Sequence, residues 1–88
     1  GQEVAVGRYY LKRNNPLSAI NRFKTVIDDH KNTPYYPEAL FRSIEAYAML
    51  GINHKVVGYF KILKKEFPDS DWNILAFNLM KEFGIKVE

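Results

Sequence analysis

The side chains that could do chemistry are few in this sequence, and their spacing points away from catalysis. His30 and His54 have no second histidine or carboxylate four residues on along a shared helical face, as a helical zinc site needs, so each reads as a solvated imidazole at a helix edge. Asp28 and Asp29 are adjacent. Neighbours on a helix diverge by about 100 degrees, so their carboxylates do not converge on one substrate atom for acid–base work. Asp69-Ser70-Asp71 looks like a fragment of a calcium loop but lacks that loop's glycine and closing glutamate. Ser70 as a helix cap, with Asp71 favouring the helix dipole, accounts for the same residues. With no glycine-rich phosphate loop and no nucleophile elbow, the chain is read as a non-enzyme without cofactor or metal.

Charge narrows the partner. Thirteen Lys and Arg against ten Asp and Glu leave +3, short of the dense basic stripe of a dedicated nucleic-acid binder. Lys61, Lys64 and Lys65 share a helix with a buried stripe and form its wet face, while Tyr9-Tyr10 and Tyr35-Tyr36 offer rings on which bases can stack. Tyr10 recurs as a core position, so nucleic acid is set aside and an RNA-binding helical repeat is kept only as the contrasting class. Arginine's planar fork suits paired carboxylates better than a lysine point charge does. Arg13 and Arg22, flanking the loop at Asn14-Asn15, are therefore a candidate contact for an acidic partner surface.

Positioning these groups falls to a small helical domain. Eighty-eight residues with 47% hydrophobic and 15% aromatic content make one packed domain rather than a disordered chain. The absence of cysteine leaves the redox compartment open. No apolar run approaches the roughly 20 residues of a membrane span. The chain opens on Gly with helical patterning under way by Val4, and is read as an excerpt of a longer protein.

A shift of 37 residues lays Tyr10 on Tyr47, Ile20 on Val57, Phe23 on Phe60, Val26 on Leu63 and Ala39 on Ala76. Punctuation shifts with it. Asn14 and Gly51 suit the left-handed end of a first helix, Asn15-Pro16 and Asn53 are expected to open and cap the second, and Thr33 and Ser70 to cap the third and fifth. Apolar stripes at helical spacing fill the intervals, giving five expected helices at roughly 3–13, 16–30, 35–50, 54–67 and 71–83.

Helix pairs at this period mark an α-solenoid. Leu40, Tyr47, Phe60 and Pro68, at intervals of seven, thirteen and eight, resemble the tetratricopeptide repeat, with Gly7, Tyr10, Ala19 and Phe23 on matching positions of the first unit. The fold class is all-α, a tetratricopeptide-like superhelix with repeat one at 1–33, repeat two at 34–70 and a terminal helix at 71–88. Repeats that clamp an acidic peptide terminus carry Lys and Asn on the inner face. Here those positions read Arg8, then Glu38, Phe41 and Glu45, then Asn78, so a carboxylate clamp is not expected.

Arg8-Tyr9-Tyr10-Leu11-Lys12-Arg13, Ala19-Ile20-Asn21-Arg22, Glu38-Ala39-Leu40, Ala46-Tyr47, Leu50-Gly51 and Pro68-Asp69-Ser70-Asp71-Trp72 together resemble the C-terminal repeats of the BamD family of outer-membrane assembly lipoproteins. The first hinge departs from the family's Tyr-Pro-Asp-Thr, reading His30-Lys31-Asn32-Thr33. The resemblance implies a protein-interaction scaffold at the periplasmic face of the outer membrane. It would dock a POTRA domain of the central barrel-assembly component, with accessory lipoproteins nearby. It further implies that Arg22, from the Asn21-Arg22 pair, faces that partner, with Arg13 at the preceding helix end and Arg8 completing the partner-binding set. Membrane attachment would come through a lipid anchor outside this chain, and client recognition is not assigned to these residues. Another tetratricopeptide-type adaptor, periplasmic or cytosolic, is the alternative.

The fifth helix carries apolar residues on more than one face, among them Trp72, Ile74, Phe77 and Phe83. Either the tail from Gly84 to Glu88 folds back over them or that surface meets another chain. Val4 and Val6 give the same exposed-apolar expectation at the other end.

Overall fold

The computed structural model describes residues 2–87; Gly1 and Glu88, the outer ends of the expected first repeat and terminal segment, lie outside the described residues. Five helices follow in order: α1 (Gln2–Lys12), α2 (Pro16–Asp29), α3 (Tyr35–Leu50), α4 (Asn53–Glu66) and α5 (Asp71–Glu82). Among the described residues there is no strand, and every helix end falls within one residue of its expected place.

Helix ends are set locally. Asn14 (φ 58°) and Gly51 (φ 74°) both take the left-handed conformation. In each case the next backbone N–H then turns back to a carbonyl of the preceding helix, Asn15 to Tyr10 at 2.9 Å and Ile52 to Tyr47 at 3.0 Å, which satisfies acceptors the helix leaves open. Asn15 accepts the Ser18 N–H on its side chain at 3.3 Å ahead of Pro16 in the first turn of α2. Ser70 Oγ accepts the Trp72 N–H at 3.1 Å, the expected cap on α5.

Two expected caps are not made. Thr33 Oγ1 donates backwards to the His30 carbonyl at 2.7 Å, so it tightens the turn after α2, and α3 starts from Pro34 without a side-chain cap. Gly51 and Ile52 complete the next turn in two residues, which leaves Asn53 already inside α4 and past the position from which a cap reaches the free N–H groups.

Each helix packs on the next, and α3 also meets α1 and α5, so the odd helices line one face and the even helices back them. This is the tetratricopeptide-like arrangement. Phe23 is wholly buried because Gly7 opposes it: a Cβ on Gly7 would lie 2.3 Å from Phe23 Cε1, so only glycine admits the ring. Ala39 and Ala76, matched by the repeat, are both fully buried. Tyr10 and Tyr47 hold corresponding places at the last turns of α1 and α3, each lending its carbonyl to the closing turn.

The ends differ from expectation in part. Val4 is 1% exposed and belongs to the core rather than to an open boundary, and Val6 is half-buried. Beyond α5, Gly84 (φ 69°) reverses the chain, Ile85 is buried and Val87 packs on the core. The tail therefore does fold back, yet it leaves Ile74 (60%) and Phe77 (49%) exposed.

Candidate protein-docking site

The four residues expected to face a partner divide between two places. Asn21 and Arg22 sit midway along α2 and, with Tyr10, Ser18 and Thr25, line an open groove of about 360 Å³ whose walls are mainly hydroxyl, amide and guanidinium groups. The helix periodicity that buries Ala19, Ile20, Phe23, Val26 and Ile27 turns Asn21, Arg22 and Thr25 away from the core. Arg22 Nη1 reaches Glu3 Oε1 in the first turn of α1 at 3.1 Å, and the guanidinium remains 46% exposed. That pair points Arg22 away from the Asn14-Asn15 loop it was expected to flank, because α1 and α2 run antiparallel and Glu3 lies at the far end of α1. Arg13 is at the loop end, stacked over the Tyr9 ring at 5.4 Å.

Arg8 belongs to the inner face. Its Nη1 lies 2.8 Å from Glu38 Oε2, an ion pair joining α1 to α3. Glu38 also accepts from Arg42 Nε at 3.3 Å, and Arg42 Nη1 reaches Glu45 Oε1 at 3.2 Å. Arg42 further lies 5.6 Å from the Trp72 ring centre, so one guanidinium connects α3 to α5. Sequence reasoning missed Arg42, although the Glu38, Arg42, Glu45 spacing of four and three is the helical ion-pair signal. Both mid-groove carboxylates are thereby taken by arginine, and the inner face presents a neutralised ridge rather than free acid. Phe41, counted as a groove position, is only 6% exposed and packs at 5.4 Å on Trp72.

Two phenols are perturbed. Burial, followed by the nearby Glu66 carboxylate, raises Tyr36 above its ordinary value. Burial, followed by Tyr47 and then Asp28, raises Tyr59. Tyr47 and Tyr59 stack with ring centres 5.7 Å apart. His30 and His54 are both exposed, the former at the end of α2 and the latter in the first turn of α4. Among the described residues no group of three or more His, Cys, Asp or Glu could hold a metal ion.

A protein-family model described as an outer membrane lipoprotein, YfiO, matches residues 1–58, from α1 into the middle of α4. The chain belongs to the YfiO family. Consistent with this, it is 42% identical over 83 residues to the outer membrane protein assembly factor BamD of Rickettsia prowazekii, covering 94% of this chain and 33% of that protein. It is 42% identical over 86 residues to the BamD of Caulobacter vibrioides, covering 98% of this chain and 28% of that one. With the BamD of Neisseria meningitidis serogroup A the identity is 36% over 70 residues, 80% of this chain and 26% of the relative. The chain thus spans about a third or less of the length of these relatives. No solved structure matches it. Membership of the YfiO family puts the chain among outer membrane lipoproteins, the setting the resemblance implied. Among the described residues no helix is long and apolar enough to cross a membrane.

Proposed function

We propose that this chain is a non-enzymatic docking scaffold in outer membrane protein assembly, working at the periplasmic face of that membrane. The α1–α2 hairpin holds Arg22 and Asn21 toward an acidic surface of a protein partner, a POTRA domain of the central barrel-assembly component, with Arg13 at the loop end, Arg8 contributing from the inner face, and accessory lipoproteins as neighbours. One observation carries the reading: Arg22 is half-exposed, pinned by a single carboxylate, and surrounded by the hydrogen-bonding groups of Tyr10, Ser18, Asn21 and Thr25 in an open groove. Glu3 occupies one end of the guanidinium, and the outer donors remain available for a bidentate contact with an incoming carboxylate. The names of the relatives, assembly factors of the outer membrane, support the same setting.

Calorimetry with the POTRA partner tests this. Arg22→Glu weakens docking by about 2–5 kcal/mol where the pair is desolvated on binding. Glu3→Gln releases the guanidinium from its internal rival and leaves affinity equal or tighter. Unchanged affinity for Arg22→Glu, with helicity intact by circular dichroism, removes this face from the interface.

A further inference from the structure

At the opposite end of the molecule from Arg22, the seam between α4 and α5 is an open groove of about 410 Å³. Phe60 forms part of its floor, Pro68, Ile74, Phe77 and Val87 line it, and Lys64 stands at its edge. The floor is recessed: Phe60 is 4% exposed, whereas Phe77 is 49% and Ile74 is 60% exposed. The repeat shift lays Phe77 on Leu40, which is wholly buried in α3. The difference is one of cover. α3 packs against all four other helices, whereas among the described residues α5 meets only α3, α4 and the short tail at Ile85 and Val87.

The rim is basic. Lys64 Nζ lies 5.7 Å from the Phe60 ring centre and Lys81 Nζ 5.7 Å from that of Phe77. Both lysines are exposed, and the ion pairs found among the described residues all use arginine. Lys61 and Lys65 add to the same helix, on which Glu66 is the one carboxylate.

We infer that this seam is a second docking surface, for an amphipathic helix of another protein whose apolar stripe is flanked by carboxylates. Shape comes from the internal repeat, because the cover that α5 lacks is the one α4 supplies to α3, a helix with an apolar face. Charge comes from Lys64 and Lys81, whose ammonium groups stand against the Phe60 and Phe77 rings of the groove and make no ion pair among the described residues. A second copy of this chain is disfavoured by the same lysines, since a two-fold contact sets like charge against like. A lipid leaflet fits a protruding apolar tip better than a groove whose aromatic floor lies below its rim. The inference does not depend on Arg22 and can stand or fall separately from the docking role given to that residue.

The probe is a fluorescent synthetic peptide of about four helical turns, with leucines at the spacing of the α4 stripe and glutamates beside them, and a twin carrying lysines in place of the glutamates. Measured by fluorescence anisotropy on the full chain, the acidic peptide binds at least about tenfold more tightly than its twin, and its affinity falls as salt rises. Phe77→Ser, at a half-exposed position, weakens it by about tenfold or more without loss of helicity. Joint Lys64→Glu and Lys81→Glu reverses the preference between the two peptides. Equal binding of the peptides overturns the inference, as does a preference untouched by that charge reversal. Two further results also overturn it: Phe77-dependent binding to phosphatidylglycerol vesicles without peptide binding assigns the groove to lipid, and Phe77-dependent dimerisation in sedimentation assigns it to a second copy.

Discussion

The two helical hairpins, α1–α2 and α3–α4, bury matching aromatic rings by different means and finish their outer surfaces for different ends. In the first, Phe23 lies directly on the backbone at Gly7; in the second, the position corresponding to Gly7 is the wholly buried Ile44, a full side chain where the first unit has none. Both solutions exclude water, with Phe23 at 0% and Phe60 at 4% exposure. The outer positions diverge further. Arg22 corresponds to Tyr59, Asn21 to Gly58 and Thr25 to Ile62. Where the second hairpin stacks Tyr59 on Tyr47, the first leaves a polar groove open beside Tyr10. A repeat unit can hold its core pattern while its outer positions differ in chemistry, polar beside Tyr10 in the first unit and aromatic beside Tyr47 in the second.

The sharpest way to break this comparison is in the cores. Phe23→Ala is expected to cost about 3–5 kcal/mol, read from urea unfolding. Its counterpart Phe60→Ala costs less, because Phe60 borders the open α4–α5 groove, where the structure can relax. A larger loss at Phe60 contradicts the asymmetry. The glycines provide the next test. Gly7→Ala drives a methyl into the Phe23 ring and costs about 1–3 kcal/mol. Gly58→Ala, within α4 and with nothing within 4 Å of the new Cβ, instead stabilises by about 0.4–1 kcal/mol. Thermal melts of the two variants moving in the same direction rule out the close approach in the first hairpin.

Glu38→Gln loosens the tie between the hairpins. Because Arg8 is 44% exposed, the loss is that of a partly solvated pair, about 1 kcal/mol, with weaker salt dependence of the melting temperature than in the parent. The smallest effect is at high pH. Tyr59 is raised above 10.0 in the folded chain, so the folded state holds that proton more tightly than the unfolded state does. Its stabilisation is complete below about pH 10 and is lost as pH climbs through the higher folded value. Tyr59→Phe removes that alkaline decline, seen as a flatter curve of stability against pH above pH 10, and identical curves indicate that the phenol is not buried as described.

Much of the architecture could be read from residue order because its causes are local. Asn14, Gly51, Asn15-Pro16 and Ser70 act within four or five residues of themselves, and each does what its type predicts. Thr33 and Asn53 were misjudged for an equally local reason, the tightness of the turns before them, which shifts a cap by one position. The proposed docking face was harder. Asn21 and Arg22 are put forward on a family likeness, and their outward orientation follows from helical period alone. Their separation from Arg8, and the diversion of Arg22 toward Glu3, depend on how two antiparallel helices align. Arg42 carried a readable signal in its spacing from Glu38 and Glu45, but its reach to Trp72 spans thirty residues and left none.

Sequence by itself determined the helices, their stops, and the 37-residue recurrence that pairs them, since backbone conformation and apolar period are properties of short stretches. Tertiary structure decided which charges neutralise one another, which glycine has no room for a methyl group, and which apolar side chains of α5 stay uncovered. Those outcomes depend on distances between residues remote along the chain, and such distances exist only after the helices have packed.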